Sequence, residues 1–445
     1  MIRRPILGAP LPRASTSRLL WWALATALLL TACAAKEGDD IGSAIFNGTT
    51  PEGLTVEPPR TTLPQPQISA IRVPVNQPTI QAAVDIAQPG DLILIEPGTY
   101  LEEVVVSVPD IVIRGRDRNT VFIDGNHAFT TGVQVLADGV AIENLTVRNY
   151  LGDAVTVGTG DVVPVNRFRA LHVTTSNTGD NGIALRNVTN AEVQQGWQSG
   201  HAGAGVLVDS CVECNTFITR TLAEFSNVGM RIVGANRNVW MISATSRNNR
   251  VGVLVEDGPS QPSTGVVLGA NVILNNGFGS TPTNDPTLDR GFGVGIQLGG
   301  TVSTEITANR VLDNLRTGVL LAPNNVGSSG DPIAPNVSAN LIEGHPESDI
   351  VLAFGDAIVD PSTCVTNNGV ATIGPPGAAE AAACGDANVA PPTFSWTGDP
   401  RESIPYANGP VPPGIDGMEN ADSIPPTPAG LVQPPDTSAL VVPES

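Results

Sequence analysis

From about residue 90 to 360, short apolar runs return at a near-constant distance. Each run opens on a glycine, followed by an apolar, a variable and a second apolar residue. The unit occurs as Gly182-Ile183-Ala184-Leu185, Gly205-Val206-Leu207-Val208, Gly229-Met230-Arg231-Ile232, Gly252-Val253-Leu254-Val255, Gly295-Ile296-Gln297-Leu298 and Gly318-Val319-Leu320-Leu321. The intervals are 23, 24, 23, 43 and 23 residues, the long one fitting an ordinary unit plus an insertion at 277–293. Earlier copies are Gly132-Val133-Gln134-Val135 and Ala154-Val155-Thr156-Val157. The alternation around each glycine is that of a strand with one face in a core. A second apolar position, at Val193, Phe217, Trp240 and Ile306, lies 12 residues before its glycine, and Asn215 and Asn238 lie 14 before. Each unit therefore holds at least two strands separated by Asn- and Gly-containing turns.

A unit of this size cannot bury its own apolar face. Stacking successive units buries it and pairs every strand edge with the next coil. Leucine-rich repeats have a similar period, but the Leu-x-x-Leu-x-Leu frame is missing, and propeller blades need roughly 40–45 residues. The pattern predicts an all-β parallel solenoid. Ahead of it, apolar residues at 80, 83, 84 and 87 predict a short amphipathic helix, which Gly90 can end.

The repeats, together with Pro78-Thr79-Ile80-Gln81-Ala82-Ala83-Val84, Pro89-Gly90-Asp91 and Pro97-Gly98-Thr99-Tyr100, resemble the right-handed parallel β-helix superfamily that includes the pectate lyases. The resemblance spans residues 71–385. It implies a short N-terminal helix capping the first coil, which protects an open strand edge. It says little about activity, because this fold hosts lyases, hydrolases, esterases, epimerases and binding proteins. The Arg-x-Pro-x-x-Arg of pectate lyases, the paired aspartates and Gly-His-Gly of polygalacturonases and the signatures of pectin methylesterases are not found. Ser199-Gly200-His201-Ala202-Gly203 is a faint echo of the second.

The ends of the chain bear on location. Arg3, Arg4, Arg13 and Arg18 precede an apolar run, Leu19 to Leu30, that is short for a membrane span and fits a secretory signal. The run ends in Leu30-Thr31-Ala32-Cys33, which resembles the bacterial lipoprotein cleavage box and implies lipidation at Cys33, an exported protein and a membrane contact through that lipid. Residues 1–32 are expected to be the signal, 33–70 a flexible tether, 71–385 the β-helix and 386–445 an irregular Pro-rich tail. The net charge of −20 becomes more negative by four when the signal leaves, which argues against nucleic acid as a partner. Four cysteines remain besides Cys33. Of three pairings, the one joining near neighbours is preferred, Cys211 with Cys214 and Cys364 with Cys384. No second pair or histidine pattern completes a zinc site at Cys211 and Cys214.

Candidate chemistry follows from aligning the coils on their glycines. The position four before holds Thr178, His201, Phe225, Asn248 and Asn314; Asn248 and Asn314 read as stacked turn residues. Combining neighbouring positions places Asp180, His201, Glu224, Arg247 and Arg250 along one turn edge. There Asp180, His201, Arg247 and Arg250 form a candidate catalytic set able to bind a uronate and abstract the proton beside its carboxylate, with Glu224 and Asp153 as ligand-binding candidates. Glu224 and Arg247 equally form a compensating pair. Asp153 and Asp180, with Asp161 between them, are the candidates for calcium or for glycoside cleavage, without a dense Asp motif to support either. No resident metal or cofactor is expected. His127, in the turn Asp124-Gly125-Asn126-His127, reads as structural. The residue two after each glycine (Ala184, Leu207, Arg231, Leu254, Gln297, Leu320) must point outward, so half of an outer column is leucine and should be covered or bound. The function expected is binding of carbohydrate or of a neighbouring surface component. Its rivals are a lyase or epimerase acting on an acidic polysaccharide, and a structural spacer or adhesin.

Overall fold

The structure is a computed structural model that describes residues 70–160, 163–257, 262–284, 291–323, 330–354, 360–370, 372–382, 384 and 432–443. The signal, Cys33, the tether up to residue 69 and residues 386–431 lie outside the described residues.

The chain forms a right-handed parallel β-helix of about 11 turns with very little helix. Three parallel sheets of 12, 11 and 11 strands run its length, here called sheets 1, 2 and 3 in the order each coil visits them. Every repeat glycine opens a sheet 3 strand. Ile183, Val206, Met230, Val253, Ile296 and Val319 pair coil to coil in unbroken register, and the 43-residue interval is a single enlarged coil. The earlier apolar run of each coil is sheet 1, where Val193 pairs with Ile218, next to Phe217. Sheet 2, with strands such as Trp197–His201 and Thr245–Arg247, makes the third side, its outer face mixing polar and apolar residues. The inward residues form one continuous buried column from Val73 to Leu352.

The corners explain why asparagine recurs. Between sheets 1 and 2 one residue per coil takes a left-handed conformation, including Asn144, Gln195, Ser243, Ala270, Ala308 and Asn367. The next residue points inward. Asn271, Asn309, Asn340 and Asn368 occupy that place in successive coils, each Nδ2 donating to the next Oδ1 at 2.9 Å. Each Oδ1 also accepts a backbone N–H from the coil before, and each Nδ2 of the first three reaches a backbone carbonyl, so buried corner groups are satisfied. A second ladder, Asn249, Asn276 and Asn314, stands between sheets 2 and 3. A third, Asn166, Asn190, Asn215 and Asn238, stands at the entry to sheet 1.

At the N-terminal end, helix α1 (Ile80–Ile86) sinks Ile80, Ala83 and Val84 into the core. The Glu102 carboxylate accepts the Ile80 and Gln81 N–H groups, and Thr79 Oγ1 accepts that of Ala82. At the other end a disulfide joins Cys364, on the last strand of sheet 1, to Cys384; a second joins Cys211 and Cys214 in a turn between sheets 3 and 1. Residues 432–443 lie against the corner of sheets 1 and 2, with the Arg310 Nε–H donated to the Pro443 carbonyl at 2.9 Å, and beside them is a cavity of about 330 Å³.

The outer column of sheet 3 is covered. Ala184, Leu207 and Leu254 join Ala204, Val228 and Val251 in an apolar cluster outside the solenoid, and Leu320 joins Val294, Ala322, Val351 and Ala353 in another. Gln297 is also buried, and Arg231 is partly exposed. The described part of the insertion climbs back along the corner between sheets 2 and 3. Gly277 and Phe278 donate to the Asn249 carbonyl, Phe278 meets Phe225 edge-on at 5.4 Å, and Asn284 N–H donates to the Ala202 carbonyl.

Candidate functional site

The polar residues that surface at the corner of sheets 2 and 3 converge around Asp153. Its coil leaves the corner just before Val155, and the side chain turns toward the coil that follows. One oxygen accepts Asn181 N–H and Nδ2, both at 2.9 Å; the other accepts Thr156 Oγ1 at 2.7 Å and Arg186 Nη1 at 2.6 Å. With four donors on two oxygens and almost no exposure, Asp153 is a fixed clamp. Its oxygens are taken up by protein donors rather than turned toward a ligand, so Asp153 acts on the site through Arg186. Asp161 lies outside the described residues, and among them no group of three or more His, Cys, Asp or Glu side chains is placed to hold a metal ion.

What Asp153 clamps is Arg186. The other terminal nitrogen of Arg186 lies 3.8 Å from Asp180, whose side chain is 41% exposed. Asn284 Nδ2 donates to Asp180 Oδ1 at 3.1 Å, so the insertion forms one wall. Burial, and next the negative charge of Asp153, raise the Asp180 carboxyl above its ordinary range, while Asn284, Arg186 and Arg231 act in the opposite sense. Arg231, two coils on from Arg186, is steered by Nε and Nη2 donation to Glu256 Oε1 at 3.0 and 2.6 Å. The result is a partly exposed patch beside the corner of sheets 2 and 3, where the Asp180 carboxylate and the fixed Arg186 guanidinium lie side by side. Such a pairing fits vicinal hydroxyls or a carboxylate.

The remaining sequence candidates are elsewhere. His201 points into the solenoid, fully buried, with Thr178 Oγ1 at 2.6 Å from Nδ1 and Thr175 Oγ1 at 3.0 Å from Nε2. Burial pushes its pKa down to about 3, so it is a neutral interior residue without access to a ligand. Glu224 and Arg247 sit on the outer face of sheet 2, joined at 2.8 Å, and Glu224 also accepts Trp197 Nε1 at 3.0 Å. Arg250 is fully buried, its guanidinium 5.2 Å from the Phe292 ring centre beneath the insertion. The single turn edge expected from the glycine alignment is thus divided into an interior residue, two outer faces and a covered arginine. His127, in its turn, lies 3.4 Å from Asn177 Nδ2. Arg186 and Asn284 were not singled out in the sequence. Arg186 falls four residues after Gly182, an outward place by strand alternation, so a signal existed; nothing local marks Asn284.

No family model matches the chain, and no curated protein matches it. Among solved structures it is similar to the periplasmic alginate epimerase AlgG (13% identity over 68% of this chain and 80% of that one, TM-score 0.44). It is similar also to an alginate lyase from Paenibacillus sp. str. FPU-7 (15% identity over 61% and 93%, TM-score 0.44), and to the pectate lyase Pel9A (14% over 67% and 73%, TM-score 0.34).

Proposed function

We propose that the protein is an exported, lipid-anchored β-helix whose sheet 3 face binds a glycan. The observation that carries this reading is the Asp153–Arg186–Asp180 arrangement, in which one saturated carboxylate fixes a guanidinium beside an accessible one. Pre-positioned donors and acceptors on a rigid sheet bind hydroxyls without the ordering penalty that mobile side chains incur. The anchor rests on the basic, apolar, Leu30-Thr31-Ala32-Cys33 series. Cells fed a fatty-acid probe should label the protein, and Cys33→Ser should abolish labelling; equal labelling of both forms contradicts the anchor.

A second reading, a lyase or epimerase acting on a uronate polymer, is favoured by one feature: Asp180 is a carboxyl with a raised pKa next to a guanidinium, a pairing suited to general acid–base work beside a bound carboxylate. Glycan arrays and product-release assays with the full chain separate the two. Binding that Asp180→Asn and Arg186→Gln weaken, without product, supports the binder. Product formation lost in Asp180→Asn supports the enzyme, and binding unaffected by both substitutions removes the site.

A further inference from the structure

We infer that the outer face of sheet 2 carries a separate binding platform for the pyranose rings of an uncharged glycan, built on Trp197, Arg247, Phe225 and Phe278. Glu224 organises it. This carboxylate is almost wholly buried, and its two oxygens take different partners: the Trp197 indole N–H at 3.0 Å and Arg247 Nε at 2.8 Å. One clamp therefore fixes both an indole and a guanidinium. Trp197 pairs in register with Leu222, and Glu224 with Arg247, so the indole and the guanidinium stand one coil to either side of Glu224, in coils about 9.6 Å apart. The Arg247 side chain is 36% exposed, and its Nε is the part engaged. Among the described residues no acceptor meets its terminal nitrogens, which carry four of its five N–H donors.

Beside this pair, Phe225 follows Glu224 in a left-handed turn conformation, and Phe278 meets it edge-on at an interplanar angle of 74°. Phe278 is 44% exposed. Aromatic residues make up only 4% of the chain, so one bonded to Glu224, one directly after it in sequence and a third against that one are not explained by composition. They are not explained by the core either, since none belongs to its buried column.

The chemistry selects the ligand. Flat rings offer a face for the C–H side of a pyranose, and the guanidinium donors meet its hydroxyl oxygens. The charge of Glu224 is matched by Arg247, so the platform itself is neutral, and the chain's net charge of −20 repels polyanions at long range. An uncharged polysaccharide meets both conditions. The platform lies across the corner of sheets 2 and 3 from Asp180 and does not require that the sheet 3 face bind anything.

The test is affinity electrophoresis of the full chain in gels containing a neutral β-glucan, a mannan or, for comparison, alginate. The neutral polymers should retard the protein, and Phe278→Ala and Trp197→Phe should each weaken retention ~5- to 10-fold. Phe278→Ala removes an exposed ring, so its unfolding temperature should stay at the wild-type value and separate lost binding from lost folding. Retention lost in Phe278→Ala but kept in Asp180→Asn upholds the platform whatever becomes of the sheet 3 face. Retention lost only in Asp180→Asn, retention by alginate alone, no retention by either neutral polymer, or Phe278 contributing only to a protein–protein contact each overturns it.

Discussion

Asn314 Nδ2 lies 3.1 Å from His345 Nε2, so the asparagine ladder between sheets 2 and 3 ends on a histidine. An amide nitrogen only donates, which makes Nε2 the acceptor and puts the ring proton on Nδ1, 2.9 Å from the Asp349 carboxylate. A second ring proton would face the Asn314 donor. Burial holds the His345 pKa below its ordinary value, against the opposite pull of Asp349 and Asp313. A folded pKa below the unfolded one stabilises the protein above about pH 6.5, and that stability is lost as pH falls toward the folded value. The unfolding temperature should therefore drop between pH 7.5 and 4.5 by more in the wild type than in His345→Asn. Equal drops would show that His345 does not titrate against the ladder.

Removing a rung from the ladder between sheets 1 and 2 should cost more than the loss of one hydrogen bond. Asn309 accepts from the Asn271 N–H and Nδ2 and donates to the Leu268 carbonyl and Asn340. Asn309→Ala leaves several of these buried without a partner and should destabilise by about 3 kcal/mol. Chemical denaturation measures this directly, and a loss below about 1 kcal/mol would mean that water replaces the amide.

Asp180→Asn should raise the unfolding temperature at pH 7. The folded carboxyl has a raised pKa, so its ionised form, present above that pKa, opposes folding, and the neutral amide avoids this. The gain should fade as pH falls toward the unfolded value of about 3.9. A fall in unfolding temperature at pH 7 would show that the ion pair with Arg186 outweighs burial.

Cys364→Ser combined with Cys384→Ser should lower stability by about 3 kcal/mol, the effect of opening a loop with a sequence separation of 20. Peptide mapping without reduction should find the two cysteines linked in the wild type. Free thiols at both would remove the prediction.

The sheet 3 strands, their register and the solenoid were legible because apolar alternation around a glycine repeats in every coil. The site was not, and the reason is a one-residue slip. Aligned by strand register, Ser199, Glu224 and Arg247 are equivalent, yet Ser199 is six residues before its glycine while Glu224 and Arg247 are five before theirs. Alignment on glycines therefore set His201 beside Asn248. In the structure the left-handed places are Gly200, Phe225, Asn248 and Asp313, and the residue after each points inward. Thr178, His201, Ser226, Asn249, Asn276, Asn314 and His345 share that inward column. A turn that absorbs one extra residue leaves both flanking strands in register, so hydrophobic periodicity carries no record of it.

The ladders also have a direction. Along Asn271, Asn309, Asn340 and Asn368 each amide N–H is given to the coil that follows, as it is along Asn249, Asn276 and Asn314. The third ladder runs the other way, Asn238 giving to Asn215, Asn215 to Asn190 and Asn190 to Asn166. The third ladder ends at Asn238, one coil before the first begins at Asn271, so earlier coils offer the next a waiting acceptor and later coils offer it a reaching donor. Each coil can thus act as a template for its neighbour, so the stack can grow one layer at a time, like a crystal.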